Sequence, residues 1–246
     1  MIEPFSPVVI TPCFKEDPEI LLKCHQSVLS QTVPCTHVFV ADGSDTDMPV
    51  SDRSIHLRLP LNSSDNGNTP RSIGSVFAIA RGFEPVFLLD ADNWYSSDHV
   101  ETALRLKLEN PDLDVVFSSR YIVLDDGTRF HPAPEDQREL FADTSTMCFF
   151  QSAFTILPLF AFIPPKLSPI CDRIIYSAIR SVGLKAGSTG KPSLYFKSHY
   201  RAHYLYAKKL PTEELHDPDW SHIKSILPLE LSKFKAKTGI TVDPYL

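Results

Sequence analysis

Apolar and polar residues alternate in blocks along the first half of the chain. Pro7-Val8-Val9-Ile10-Thr11 is a short β-branched run and predicts a first strand. A polar loop, Pro12 to Asp17, follows, and Pro18 suits the first turn of a helix. Ile20, Leu21, Cys24, Val28 and Leu29 then recur at helical spacing as far as Gln31-Thr32-Val33-Pro34. His37 to Ala41 predicts a second strand, broken by Asp42-Gly43-Ser44-Asp45, and Ile55 to Leu59 a third. Asn62 to Pro70 is a loop rich in Asn, Ser and Gly. Pro70 opens a helix carried by Ile73, Val76, Phe77 and Ile79 to Gly82. Val86 to Leu89 is a further strand, Ser97-Asp98 a helix start with the helix running to Glu109, and Val115 to Val123 another strand.

This alternation of strands and helices predicts an α/β fold with a mainly parallel central sheet and helices on both faces. The second half is less regular. Asp125-Asp126-Gly127 is a hairpin-like turn, and Phe130 to Glu139 a Pro-rich polar loop, a surface loop or a lid. Ile170 to Val182 is an amphipathic helix ended by Gly183. Leu194 to Phe196 reads as a short strand. Trp220 to Lys237 reads as a helix kinked or broken at Pro228.

Composition narrows the class without changing this picture. The 246 residues, 43% hydrophobic and 22% charged, suit an ordinary globular protein of one domain, 1–246. A net charge of -6 without a basic stripe argues against nucleic-acid binding. Cysteines 13, 24, 35, 148 and 171 form no CxxC pair or zinc-like spacing. The start, Met1-Ile2-Glu3-Pro4, lacks the basic and apolar regions of a signal peptide, so a reducing cytoplasmic setting is expected. The most apolar stretch, Phe149 to Pro165, is interrupted by Pro158, Pro164 and Pro165. It is too short and broken to span a membrane. Burial is expected there, with peripheral contact at the inner face of a membrane as the alternative.

The chemistry gathers where strands end. Phe87-Leu88-Leu89 runs straight into Asp90-Ala91-Asp92-Asn93. Two carboxylates spaced this way either form an acidic turn or hold a hard cation bridging to phosphates. Glu16 and Asp17 follow the first strand and Asp42 the second, so in a parallel sheet all would meet on one rim, where ligands bind.

At this point the sequence resembles glycosyltransferases of the GT-A fold, and most of all their family 2. Residues 8–16, Val-Val-Ile-Thr-Pro-Cys-Phe-Lys-Glu, are similar to the opening strand and its P-x-Y-N-E loop, with Phe14 for Tyr and Lys15 for Asn. Val38 to Asp45 resembles V-V-D-D-G-S-x-D, with Ala41 for the first Asp. Asn68 to Gly74 resembles G-x-x-x-A-R-N-x-G, with Ser72 for Asn. Phe87 to Asn93 matches F-L-D-x-D-D/N, the DxD motif. The likeness covers about residues 6–125.

The resemblance implies a donor-binding half at about 1–125 and an acceptor-binding half at about 126–246. It implies an inverting enzyme that moves a sugar from a nucleoside diphosphate, a UDP-sugar first, to a hydroxyl of a glycan, lipid-linked or small-molecule acceptor. Thr11, Pro12, Phe14, Glu16, Asp42, Arg71, Asp90 and Ala91 would bind the nucleotide-sugar. Asp92, Asp90 and His199 would hold Mn²⁺ or Mg²⁺, with His203 a rival to His199. Asp172 would be the base, unless it only favours the dipole of its helix. Trp94 and Asp143 would contact the acceptor, with core packing the alternative for Trp94. A second reading is a degenerate domain that binds a glycan or a partner without catalysis, favoured by Ala41, Ser72 and Cys171. A sugar-1-phosphate nucleotidylyltransferase is disfavoured because Thr11 to Asp17 contains no glycine.

Overall fold

The computed structural model describes residues 5–133, 142–215 and 217–245. The Met1–Pro4 start and positions 134–139 of the polar loop lie outside the described residues.

The first half builds a parallel sheet from β1 (Val8–Cys13), β2 (Thr36–Ala41), β3 (Ser54–Arg58) and β4 (Val86–Leu88). Their spatial order is β3-β2-β1-β4, with Ile10 opposite both Val38 and Leu88. Continuous β-branched and aromatic runs form these strands because both sheet faces are covered. One face packs on α2 (Asn68–Ala80), the other on α1 (Pro18–Leu29) and α3 (His99–Glu109). The order reverses between β1 and β4, which leaves a crevice at the C-terminal ends of these strands.

Beyond β4 the sheet continues through β8 (Met147–Phe149), β6 (Val115–Val123), β9 (Ala186–Lys197) and β5 (Trp94–Tyr95), and β7 (Arg129–Phe130) closes a hairpin on β6. β8 runs antiparallel to both β4 and β6, whereas β9 is parallel to β6. The sheet is thus parallel across its first four strands and mixed in the rest.

The apolar stretch after β8 is a run of 3-10 turns, Gln151–Phe162 and Pro165–Ile170. Its prolines deny it α-helical bonding, yet Ile156, Leu157 and Phe160 are buried against α2 and α4 (Cys171–Ser181). Burial is therefore the outcome for this segment. No helix among the described residues is long and apolar enough to cross a membrane.

Two expectations need correction. Leu194 to Phe196 is the end of the twelve-residue β9, whose Gly- and Ser-rich start pairs through its backbone and offers little side-chain signal. Pro228 does not end the last helix, α6 (Trp220–Thr238), because Ile223 and Phe234 on either side of it pack into the main core. A short helix, α5 (Arg201–Tyr206), follows β9.

Candidate active site

A cleft of about 690 Å³ opens at the C-terminal rim of β1, β2 and β4. The β1 loop contributes Pro12, Phe14 and Glu16, the β2 loop Asp42, α2 Arg71, and the turn after β4 Asp90, Ala91 and Asp92. Its opposite wall comes from the second half of the chain, with Asp143, Ser168, Cys171, Asp172, Phe196 and Tyr200. Residues up to 188 positions apart, Pro12 and Tyr200, thus share one space of the size that holds a nucleotide-sized ligand.

The carboxylates at this rim differ sharply in what they touch. Asp42 is buried, and Ser63 donates to its Oδ1 from both N (3.0 Å) and Oγ (2.8 Å), while Asn62 Nδ2 donates to Oδ2 (3.1 Å). Its charge orders the loop that forms the cleft's far lip. Gly43 makes this possible: φ is +67°, and a Cβ there would lie 2.1 Å from the Asn62 backbone nitrogen. Asp90 Oδ1 accepts from Arg71 Nη2 in a buried ion pair. Arg71 Nη1 in turn donates to the Asn66 carbonyl (2.8 Å). Burial alone would ease the proton off Arg71, but Asp90 beside it holds the guanidinium firmly charged.

Asp92 projects further out. His199 Nε2 donates to its Oδ2 at 3.0 Å, and this bond raises the histidine pKa against the effect of burial. The turn between them is fixed from below, since Asn93 Oδ1 accepts from the Lys197 backbone at 2.9 Å. Ser145 Oγ accepts from the Asp90 backbone nitrogen at 3.1 Å. Glu16 accepts from the Phe14 backbone nitrogen, and its pKa is raised, first by burial and then by the nearby Asp92 and Asp90. His203, the rival histidine, is buried and bonds Ser198 Oγ through Nδ1 at 2.7 Å. It does not reach Asp92.

Across the cleft, Asp143 is pinned by Arg120 Nη1 (2.6 Å) and by the Ser145 backbone nitrogen (2.9 Å). Burial lifts its carboxyl to about 7 despite the arginine, with Asp90 and Asp172 adding to the rise. Asp172 sits in the first turn of α4, half-buried, and accepts from the Arg173 backbone nitrogen. Burial raises its pKa too, opposed by Arg173 and Arg120. Asp172, Asp143, Phe196 and Tyr200 also line a second cavity of about 440 Å³, with Arg173, His203 and Trp220. Asp172 therefore stands in the wall between two spaces.

Two candidates are not brought to the cleft. Thr11 is fully buried under the sheet, its Oγ1 hydrogen-bonded to His37 Nε2 at 2.8 Å. Only the backbone of that strand leads to the site. Trp94 faces a separate groove, stacked on Tyr195 at 5.5 Å with Lys23 over its other face. Alternation explains both: a side chain one residue off the rim points to the other face of a strand. The sequence reading also missed Arg120, Ser145, Phe196 and Tyr200. All but Arg120, which sits inside β6, lie in the less regular half, and nothing local in the sequence marks them.

A hard divalent cation fits the donor set. No group of three or more His, Cys, Asp and Glu side chains forms a metal cage among the described residues. Asp92 offers a carboxylate at the cleft, and His199, bonded to it, an imidazole beside it. Mg²⁺ and Mn²⁺ commonly take one or two protein ligands and complete their shell with phosphate and water.

Comparison with known proteins agrees with this architecture. The structure resembles that of S. aureus TarS, with TM-score 0.60 and 15% identity, over 94% of this chain and 44% of that one. Similar likenesses hold for TarS 1-349 in complex with UDP (TM-score 0.59, 16% identity, 94% of this chain and 72% of that one). For the complex with UDP-GlcNAc the values are 0.56 and 15%, over 94% and 73%. At these identities the likeness concerns the fold. A chitin synthase G of Aspergillus niger is 35% identical over 77 residues, 30% of this chain, which spans about a tenth of that protein's length. The sequence model described as Glycosyl transferase family 2 matches residues 8–165, so the chain belongs to glycosyl transferase family 2.

Proposed function

We propose that the chain transfers a sugar from a nucleoside diphosphate, a UDP-sugar first, to a hydroxyl of a glycan, lipid-linked or small-molecule acceptor, with inversion. One observation supports this reading: Asp92, which His199 bonds, and Asp172 line one cleft, and Asp172 also borders the second cavity. A donor in the cleft and an acceptor in the cavity would meet at Asp172. The neighbours' complexes with UDP and UDP-GlcNAc support the donor class.

Each group has a distinct task in this scheme. Phe14, exposed at the lip, covers the nucleoside, and Asp42 shapes the loop opposite it. Arg71 fixes Asp90 under the diphosphate. Asp92 and His199 would hold Mn²⁺ or Mg²⁺, which when bound offsets charge on the departing nucleoside diphosphate. Asp172 takes the acceptor proton. Its raised pKa makes it a stronger base than an ordinary carboxylate and leaves it within reach, whereas Asp143 is locked by Arg120. Asp143 and Tyr200 then position the acceptor.

The test is transfer of label from a panel of nucleotide-sugars with Mn²⁺ present. Asp172→Asn is expected to lose about 10²–10⁴-fold in kcat and to keep donor binding. The wild-type acid limb should lie above the ordinary carboxylate value of about 4, since activity is lost as pH falls through a raised pKa. Undiminished transfer by the Asn variant removes Asp172 as base. No turnover and no nucleotide binding in the wild type removes the enzyme reading.

A further inference from the structure

A second groove of about 720 Å³ lies against β5 and β9, outside the donor cleft. Trp94 and Tyr195 line it, and they belong to an aromatic ladder that crosses three strands. Trp94 on β5 pairs with Tyr195 on β9, which pairs with Tyr121 on β6. The rings stack, Trp94 on Tyr195 at 5.5 Å and 8°, and Tyr195 on Tyr121 at 5.4 Å and 21°. Because the faces cover one another, the ladder presents ring edges, the electropositive part of each ring.

Cations close both ends of this ladder. Lys23 from α1 lies over Trp94, 3.0 Å from the ring centroid, and Arg129 from β7 lies over Tyr121 at 5.7 Å. Lys197 stands between them and is paired to Asp125, whose other oxygen accepts from Tyr204. Among the described residues, neither Lys23 nor Arg129 has a carboxylate within ion-pair distance. Lys23 is deprotonated more easily than usual, through partial burial and then repulsion by Lys197. An anion between the two ammonium groups would relieve that repulsion. The groove therefore carries excess positive charge in a protein of net charge -6.

The groove is separate from the cleft but is lined by near neighbours in the chain of two residues beside it. Trp94 follows Asp92 by two residues, and Lys197 precedes His199 by two. A chain leaving the transfer point can run along β5 and β9 into it. Ring-to-ring steps of about one sugar unit suit a glycan better than a compact ion.

We propose that this groove is a binding site for an acidic stretch of the acceptor glycan, one bearing regularly spaced carboxylate or phosphate groups. The ring edges and Lys23, Lys197 and Arg129 would recognise that stretch. The assignment of the glycan as acceptor rests on the glycosyltransferase reading above, whereas the binding itself does not.

Trp94 supplies the readout. In a Trp220→Phe background it is the remaining tryptophan of the two in the sequence. Its fluorescence is followed at low salt while oligogalacturonate, a carboxylate-bearing oligomer, and its neutral methyl ester are titrated in. The phosphate arm of the class is probed with a short poly(glycerol phosphate). A saturable response is expected to at least one acidic oligomer. It should be about tenfold weaker with the ester, and about tenfold weaker in Lys23→Ala/Arg129→Ala, where two surface charge contacts are lost together. Lys23→Arg should restore most of it. The Lys23→Ala/Arg129→Ala variant should bind UDP with Mn²⁺ as the wild type does. No response to either acidic oligomer, or an equal response to the ester, overturns the groove proposal and leaves the donor reading untouched. Binding of an acidic oligomer by a protein that does not bind UDP overturns the donor reading and leaves the groove as a glycan-binding surface.

Discussion

The carboxylates at one rim would repel one another if they were equivalent, and their neighbours make them unlike. Asp42 is taken up by Asn62 and Ser63, Asp90 by Arg71, and Asp143 by Arg120. Asp92 meets a histidine, and Asp172 keeps only a bond to the next backbone nitrogen. On the proposed function, Asp42, Asp90 and Asp143 shape the site, and Asp92 and Asp172 act in it. A different residue contributes to how acid affects the fold. His99 is buried, stacked on Tyr95 at 3.7 Å and hydrogen-bonded through Nδ1 to Ser193 Oγ at 2.8 Å. Burial depresses its pKa from 6.5 to about 3. The unfolded chain binds this proton below 6.5 and the folded chain does not, so unfolding is favoured as pH falls. Stability from this residue is full above about 6.5 and is lost on the way down to about 3, a contribution on the order of a few kcal/mol. Thermal melts at pH 7 and pH 5 should show a smaller drop for His99→Gln than for the wild type. Equal drops would mean that His99 is not the source.

At the scale of elements, the strand–helix units of the first half were legible because each carries its own period. β1, β2, α1 and α3 begin and end within about two residues of the hydrophobic pattern. The turn at Asp90–Asn93 and the loop at Asp42–Gly43 were legible too, since a strand that stops in carboxylates has few other uses. What stayed hidden depends on partners distant in sequence. β9 forms because β6 offers a ladder to a stretch with almost no apolar period, and the 3-10 run folds as it does because α2 and α4 receive its side chains. Arg120 and Ser145 reach the site by the same long-range pairing of β6 and β8. α2 carries an element-level test. Its Gly74 lies against β1 and β2, and a Cβ there would come within 2.6 Å of Ile10 Cγ2 and 2.8 Å of Val40 Cγ2. Gly74→Ala has to push the helix off the sheet and should cost about 1–3 kcal/mol, read from urea unfolding. Because α2 also carries Arg71, the same shift should weaken nucleotide binding. A variant as stable as the wild type would show that the helix–sheet contact is looser than described here.

For the molecule as a whole, the sheet divides the labour. Its parallel half supplies one rim of the cleft and its mixed half the opposite wall, so the cleft, the proposed transfer site, forms where the two halves meet. The family match covers 8–165, yet Asp172, Phe196, His199 and Tyr200 all lie beyond it. On the proposed function, those residues complete the transfer site. The most direct test is calorimetric titration of UDP into the protein with and without Mn²⁺, repeated for Asp92→Ala and His199→Ala. The account predicts binding that needs the metal, is lost in Asp92→Ala and is weakened about tenfold or more in His199→Ala. Metal-independent binding of equal strength in all three proteins would contradict it.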